Sequence, residues 1–291
     1  MPEVTLSAGT IDYDDTGGSG PVVVLLHGVA MDASLWRNVV PALSTDYRCI
    51  TPTLPLGGHR RPMHPDADLT MHGMVRLVAE FLDALDLRDV ALVANDWGGP
   101  QVLIADGLAD RVGRLVLSSC EAYDNYPPGA PGKSLLQMSK LPGGLGLLLA
   151  ATALRFRLLQ RLPTTFGLMA KRPVPRDVMR RWSRPMQTDP AIRRDLRKYV
   201  ISVPDKAELN DIAKRAVTFD RPTLIVWATE DKVMPVEHGR RLASEFPDAE
   251  LVEIDDSYAL IPEDRPEALS AALRAFLRRT DDAGGRGQAP Q

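Results

Sequence analysis

Asp96 occupies a position in the sequence where a carboxylate could act as a nucleophile. The run Val90 to Ala94 predicts a buried strand, and the apolar run Val102 to Leu108 predicts a helix soon after it. Small residues two positions before and after Asp96, Ala94 and Gly98, permit the tight strand-to-helix turn that lifts a nucleophile clear of a sheet. A carboxylate beside a helix N-terminus should stay ionised, and it could attack carbon to form an ester. Alternatively, Asp96 is only a helix cap.

Few other residue types that carry chemistry are available. The chain contains five histidines, which are His27, His59, His64, His72 and His238. Two cysteines, Cys49 and Cys120, are too few for a disulfide framework or a four-thiolate metal site, so we expect buried free thiols. No motif for a metal, a nucleotide or a flavin is present, and we therefore expect no cofactor.

The elements that must position Asp96 are short apolar strands alternating with helices. Strands are predicted at Thr10 to Tyr13, Pro21 to Leu26, Tyr47 to Thr51, Val90 to Ala94, Arg114 to Ser119, Thr223 to Ala228 and Glu250 to Ile254. Apolar residues recur at helical spacing in Met74 to Leu85 and in Pro266 to Leu277. This alternation predicts an α/β fold with a mostly parallel, doubly wound sheet.

The alternation stops between about Glu121 and Val217, where prolines divide several helical patterns. We therefore predict a core formed by residues 1–120 and 217–280, with an inserted helical cap at 121–216. The polar and glycine-containing residues 281–291 predict a flexible tail.

Taken in order, these features resemble the α/β-hydrolase superfamily over roughly residues 10–278. The resemblance rests on His27-Gly28 after an early strand, on the Asp96-Trp97-Gly98-Gly99 turn and on the interrupting helical segment. The turn and the segment Leu35-Trp36-Arg37-Asn38-Val39-Val40-Pro41 look most like haloalkane dehalogenases and epoxide hydrolases, which use an aspartate nucleophile. The fold implied is an α/β-hydrolase fold, and the activity implied is hydrolysis of a halide, epoxide or ester bond.

The resemblance also implies roles for particular residues. The backbone N–H groups of Val29 and Trp97 would form the oxyanion or halide pocket. Asp231, which follows the strand Thr223 to Ala228, matches the acid of the family's catalytic triad. Glu121 is a second candidate for that acid, because some dehalogenases carry theirs after the preceding strand.

The chain departs from the family where the triad histidine should stand. Alignment from the last strand, and alignment back from Glu263-Asp264-Arg265-Pro266, both place Ala259 at that position. In the family this histidine deprotonates the water that hydrolyses the ester, and loss of a general base commonly costs a factor of about 10²–10⁴. Val29 also stands where dehalogenases often have a halide-binding asparagine, and Ala30 where epoxide hydrolases have a proline.

Three interpretations follow from the missing histidine. Another group could act as the base, and His59, in a loop after a strand, is the candidate; Asp256 and Tyr258 lie nearer the expected position in sequence. Alternatively, the protein is a non-hydrolytic enzyme that uses Asp96. As a third possibility, it is a small-molecule-binding protein on a hydrolase scaffold.

The charge distribution bears on the partners that we expect. Residues 133–215 contain 18 Lys and Arg against 6 Asp and Glu, whereas the whole chain has a formal charge of −3. The basic segment either attracts an anionic substrate or docks on an acidic core through surface ion pairs. We expect a small apolar or anionic substrate, no nucleic acid and no membrane, since no apolar stretch is long enough to span one. Without a secretory signal, a cytoplasmic location is expected.

Overall fold

A computed structural model describes residues 1–202 and 204–286, and these form an α/β fold around one eight-stranded sheet. The strands are β1 (Glu3–Leu6), β2 (Gly9–Asp15), β3 (Val22–Leu26), β4 (Arg48–Pro52), β5 (Val90–Asp96), β6 (Val112–Cys120), β7 (Thr223–Ala228) and β8 (Ala249–Ile254). Their order across the sheet is β1-β2-β4-β3-β5-β6-β7-β8. The predicted α/β-hydrolase fold class, with its mostly parallel sheet, is confirmed.

Strands β3 to β8 pair in parallel, while β1 and β2 are antiparallel at one edge. The central strands are continuous apolar runs because helices cover both of their faces. All seven residues of β5 are buried, for example. Strand β1 is missing from the sequence-based prediction. It has four residues and is largely exposed, so it lacks a clear apolar pattern.

The helices before the end of β6 are α1 (Val40–Leu43), α2 (Met71–Ala84) and α3 (Gly99–Ala105). Those between β6 and β7 are α4 (Gly129–Ser139), α5 (Leu145–Ala153), α6 (Arg157–Gln160), α7 (Arg176–Thr188), α8 (Pro190–Ile201) and α9 (Lys206–Ala216), and those after β7 are α10 (Val236–Glu245), α11 (Ile261–Asp264) and α12 (Pro266–Arg286). Two 3₁₀-helices span Ala33–Asn38 and Pro142–Gly144. None of the helices in the described residues combines the length and the apolar character needed to cross a bilayer.

The described residues between β6 and β7 contain helices and no strand, in line with the sequence pattern. We call residues 121–216 the inserted segment. Its last helix, α9, packs against α3 beside the sheet. The helices α4, α5, α7 and α8 pack on one another. The inserted segment therefore contains one helix of the core layer in addition to a separate group of helices.

The C-terminal helix runs further than the sequence predicts. The predicted flexible tail begins at residue 281, but α12 continues to Arg286. Asp281 accepts a hydrogen bond of 3.1 Å from the Tyr47 hydroxyl and another from the Arg114 guanidinium. The contacts of Asp281 with Tyr47 and Arg114 hold the chain against the core, so the helix continues past the last of its regularly spaced apolar residues. Residues 287–291 of the predicted tail lie outside the described residues.

Candidate functional site

Asp96 is the last residue of β5, and the neighbouring backbone is shaped to hold it. Its φ angle is +69°, in the left-handed region that a non-glycine residue rarely adopts. Gly28 leaves room for the carboxylate, because a Cβ atom at that position would lie 2.0 Å from Asp96 Oδ2. A Cβ on Gly98 would lie 2.7 Å from the Glu121 carbonyl oxygen. Positions 28 and 98 therefore need glycine, because a Cβ atom at either position would overlap a neighbouring atom.

Of the two backbone N–H groups expected to form the oxyanion pocket, that of Val29 donates a hydrogen bond to the Asp96 carboxylate. The side chain of Trp97 is engaged elsewhere, since its indole N–H donates to the Tyr199 hydroxyl at 2.8 Å. Tyr199 is fully buried, and its ring meets the ring of Tyr126 edge-on at 6.4 Å between centroids. The Trp97 indole is therefore already paired within the protein.

A cavity of about 390 Å³ opens above Asp96, which is a typical size for a small-molecule site. Most of its wall is apolar and comes from the inserted segment. The lining includes Val29, Ala30, Asp96, Glu121, Tyr126, Leu135, Met138, Leu147, Leu149, Leu154, Leu162, Phe166, Met169 and Met186. Asp96 and Glu121 are the two acids of this wall, and none of the lining residues is a histidine.

Burial in this cavity changes the ionisation of Asp96. Burial, and then the nearby charge of Asp231, raise the pKa of Asp96 to about 7, although the Val29 N–H opposes the shift. Burial therefore opposes the ionised state that the sequence-based expectation assigns to this carboxylate, and with a pKa of about 7 Asp96 is only partly ionised at neutral pH. The helix that follows is only seven residues long. Its favourable effect on an anion does not outweigh the loss of water around the group.

Glu121 lies beside Asp96, and the sequence indicated it only as an alternative triad acid. It accepts a hydrogen bond of 3.2 Å from the Gly98 N–H through Oε2 and also lines the cavity. Burial and the charge of Asp96 raise the pKa of Glu121 well above its ordinary value. The cavity thus holds two neighbouring carboxyl groups, and burial together with their mutual repulsion disfavours ionisation of both at once.

Asp231 follows β7 at the position expected of a triad acid, and its hydrogen bonds come from backbone N–H groups and from the Ser119 side chain. Its Oδ1 accepts N–H hydrogen bonds from Val233 and Met234, both at 2.8 Å. Burial raises the pKa of Asp231 to about 6 despite these two backbone donors and a hydrogen bond from the Ser119 side chain. The carboxyl is thus poorly solvated inside the protein, which is costly for its ionised form.

Ala259 occupies a closed, apolar position. It is fully buried, and its carbonyl oxygen accepts a hydrogen bond of 2.8 Å from Asn95 Nδ2. Asn95 also donates to the Ser118 carbonyl at 2.8 Å. Sequence reasoning missed Asn95, although its place directly before Asp96 on a buried strand was a usable signal. The side chain of Asn95 ties the loop that carries Ala259 to strands β5 and β6.

The structure does not bring the proposed substitute bases to Asp96. His59 is buried, with Nε2 3.3 Å from Asp195 and Nδ1 accepting the Gly57 N–H at 3.3 Å, and it does not line the cavity. Asp256 is only half-buried, and it pairs with Lys171 and Arg172. His59 and Asp256 therefore have structural partners of their own.

Comparisons with known proteins show the family to which this chain belongs. Residues 21–266 match the family model described as alpha/beta hydrolase fold. A haloalkane dehalogenase from Mesorhizobium japonicum is 33% identical over 149 residues, so the match covers 48% of this chain and 47% of that protein, about half the length of each. A cis-3-alkyl-4-alkyloxetan-2-one decarboxylase from Xanthomonas campestris pv. campestris is 30% identical over 295 residues, with 92% of each chain covered. The solved structure of a haloalkane dehalogenase variant from Bradyrhizobium elkanii superposes with a TM-score of 0.77 at 18% identity, covering 98% of each chain.

Proposed function

Because this chain belongs to the α/β hydrolase fold family and is close to the haloalkane dehalogenases, we propose that it is a cofactor-free hydrolase with Asp96 as its nucleophile. The substrate is a small, largely apolar molecule with an electrophilic carbon, such as a halide, an epoxide or an ester. The observation that carries this proposal is the position of Asp96, on a left-handed backbone at the base of an apolar cavity.

In the first step an oxygen of Asp96 forms a bond to the electrophilic carbon, and the bond to the leaving group breaks with its electron pair. With a halide or an epoxide a covalent ester results, and with an ester attacked at its carbonyl carbon the product is a mixed anhydride. The Val29 N–H stabilises negative charge on the carboxylate oxygens. The proposed halide role of Trp97 gains no support from its indole, which is paired with Tyr199.

In the second step water must cleave this ester, and Glu121 is the cavity acid that is free to assist. One of its oxygens accepts the Gly98 N–H, and the side chain faces the cavity beside Asp96. Glu121 would accept a proton from water as the water attacks the ester carbonyl. Asp231 and His59 do not line this cavity. We therefore expect slow release of the product and accumulation of the ester.

Intact-protein mass spectrometry after incubation with a panel of haloalkanes, epoxides and activated esters tests the nucleophile. The wild-type protein should gain the mass of the substrate fragment, whereas Asp96→Asn should not. Asp255→Asn is a matched control, since this exposed aspartate contacts Thr229 at the surface. An adduct that persists in Asp96→Asn would remove Asp96 from the nucleophilic role.

A second candidate is a reaction that releases the ester without water. It is favoured by the cavity wall, which has no histidine, and by the relative from Xanthomonas, which is named as an oxetan-2-one decarboxylase. In such a reaction Asp96 would attack the ring carbon and open the four-membered lactone to a carboxylate. Loss of CO₂ would then supply the electron pair of a new alkene, while the ester C–O bond breaks and returns its electron pair to Asp96.

Reaction in H₂¹⁸O with a 3,4-dialkyl oxetan-2-one separates the two candidates. Hydrolysis of the ester at its carbonyl places ¹⁸O in the Asp96 carboxylate, and gas chromatography detects no alkene. Decarboxylation gives one alkene per lactone consumed and leaves Asp96 unlabelled. Label in Asp96 without alkene would contradict the second candidate, and alkene from Asp96→Asn would contradict both.

A further inference from the structure

The inserted segment exposes a group of large apolar side chains on its outer surface. We call this group the apolar patch, and its members are Leu141, Leu145, Leu149, Phe156, Leu158 and Leu162. They account for all but two of the exposed large hydrophobic side chains in the described residues, the others being Met1 and Ile201. Exposed apolar side chains on a soluble surface are normally scattered, so clustering in 22 consecutive residues indicates a binding surface.

Helix α5 shows most clearly that the patch is not an accident of packing. Its sequence is Leu-Gly-Leu-Leu-Leu-Ala-Ala-Thr-Ala, which is apolar on every side. Leu147 packs inward, whereas Leu145 and Leu149 are each 53% exposed. A helix that is apolar all round normally lies in a core or in contact with lipid. The outer side of α5 has no protein cover within the described residues.

The charge around the patch is of one sign. Residues 125–176 contain eight Lys and Arg and no Asp or Glu. Arg155 and Arg157 are exposed on either side of Phe156. Neither these two arginines nor Lys140 forms an ion pair within residues 1–202 and 204–286. Apolar side chains interleaved with unpaired cations are the pattern that binds the headgroup region of anionic bilayers.

The patch is continuous with the candidate active site. Leu149 and Leu162 belong to the patch and also line the cavity above Asp96. A surface that receives the patch would therefore also face the entrance of the cavity. An apolar substrate dissolved in that surface could enter the cavity without passing through water.

We propose that the apolar patch docks the protein on the surface of an anionic lipid bilayer, with the entrance of the cavity facing the lipid. The charge complementarity selects this occupant, because a second copy of the chain would bring like charges together at the contact. The sequence-based expectation of no membrane partner rested on the absence of a spanning segment. Docking at the surface needs no such segment.

Vesicle co-sedimentation of the full chain tests this proposal. The probes are vesicles of phosphatidylcholine alone and vesicles with 30 mol% phosphatidylglycerol, a composition chosen for the assay. The protein should partition at least tenfold more strongly to the anionic vesicles, and this difference should shrink as salt is raised, because screening weakens surface electrostatics. Equal partitioning to both vesicles, or no sedimentation with either, would overturn the proposal.

Variants locate the contact on the patch. Leu145→Gln, Phe156→Gln and Leu158→Gln replace side chains that are 53%, 60% and 79% exposed and that do not line the cavity. The triple variant should lose at least tenfold in partitioning, and Arg155→Gln with Arg157→Gln should lose preference for anionic lipid. Ile201→Gln, at an exposed aliphatic side chain outside the patch, is the matched control and should bind as wild type.

Two further measurements distinguish docking from misfolding and from self-association. Each variant should keep the wild-type melting temperature within about 2 °C, since exposed positions contribute little to folding. Sedimentation velocity should show the same mass for wild type and the triple variant. A wild-type dimer that the triple variant abolishes would assign the patch to a second copy and overturn membrane docking. Adduct formation at Asp96 is measured separately with a water-soluble probe. The test of the proposed function therefore does not depend on the outcome for membrane docking.

Discussion

At the scale of single residues, Asp96 shows how burial sets the chemistry of a carboxyl group. Burial and Asp231 raise the pKa of Asp96 to about 7, against an ordinary value of 3.8. The folded protein therefore binds a proton at Asp96 between these two pH values, where the unfolded chain does not. It follows that the stability of the fold decreases as pH rises through this interval, by about 1.4 kcal/mol for each pH unit.

Asp96→Asn should remove this dependence, because an amide is neutral at every pH in question. We expect the variant to be more stable than wild type by about 4 kcal/mol at pH 8, since the ionised carboxylate is costly when buried, and nearly equal to wild type at pH 4. Chemical unfolding of both proteins at the two pH values measures the difference. A stabilisation of the same size at both pH values would show that the charge of Asp96 is not its source.

The position of Asp96 was predictable from the sequence, but its ionisation was not. Small residues around Asp96 and a buried strand before it are local signals, and both are visible in the residue order. The pKa depends instead on the cavity wall, much of which comes from residues 126–169 in the inserted segment, and on Asp231, which lies 135 positions further along the chain. Local patterns do not specify such contacts. The same reason explains why the sequence suggests His59 as a base, although it pairs with Asp195.

At the scale of elements, the site is formed where the loop after β3 meets the end of β5. Leu26 lies opposite Ala94 in the parallel register of these strands, which brings Gly28 against Asp96. The Asp96 side chain approaches position 28 so closely that a Cβ atom there would overlap it. The family resemblance, which places the loop after His27-Gly28 at the site of Asp96, predicts this neighbourhood, whereas the alternation of strands and helices does not specify the order of the strands in the sheet.

Gly28→Ala should therefore disrupt the site. A Cβ atom would lie 2.0 Å from Asp96 Oδ2, so the loop or the carboxylate must move. We expect a loss of about 2–3 kcal/mol in the free energy of unfolding, as for overpacked buried positions, together with loss of the adduct at Asp96. Gly17→Ala is a control, because no atom lies within 4 Å of its added Cβ and only its positive φ opposes the change. Comparable stability of the two variants would contradict the close approach.

Two parts of the secondary structure, β1 and the end of α12, are not predicted from the sequence. Strand β1 pairs with β2 through Val4 and Ile11, but only one of its four residues is buried. Its pairing partner, and not its composition, makes it a strand. The end of α12 is a similar case, since Asp281 is held by Tyr47 and Arg114, which come from distant parts of the chain.

At the scale of the whole molecule, ion pairs connect the basic inserted segment to the acidic core. Arg181 of α7 donates to Asp32 at 2.5 Å, Lys171 to Glu230 at 2.8 Å, and Arg172 pairs with Asp256. Part of the positive charge of the inserted segment therefore attaches this segment to the acidic core, as one of the two interpretations of the charge distribution predicts. Lys140, Arg155 and Arg157, beside the apolar patch, form no such pair within the described residues and remain available for a partner.

The attachment of the inserted segment to the core can be tested at the Arg181–Asp32 ion pair. Asp32 is buried, and burial alone would raise its pKa, but hydrogen bonds from Ser34 and Arg181 hold the pKa of Asp32 below its ordinary value. The stability that these bonds contribute is present above the unfolded pKa, near 4, and is lost as pH falls through the folded pKa. Arg181→Met would leave Asp32 with fewer donors while it remains buried and ionised at neutral pH.

We expect Arg181→Met to lower the free energy of unfolding by about 1–2 kcal/mol at pH 7, a value reduced for the partial exposure of the arginine. The loss should shrink as pH falls below about 4, because protonated Asp32 no longer needs a cation. Urea unfolding at pH 7 and at pH 3.5 measures both values, and Arg88→Met is the control, since both Arg88 and its partner Asp86 are exposed. Because Arg181 joins α7 to the loop after β3, the variant should also weaken the closure of the cavity above Asp96 and slow formation of the adduct. A loss that is equal at both pH values would mean that Arg181 acts through packing and not through the charge of Asp32.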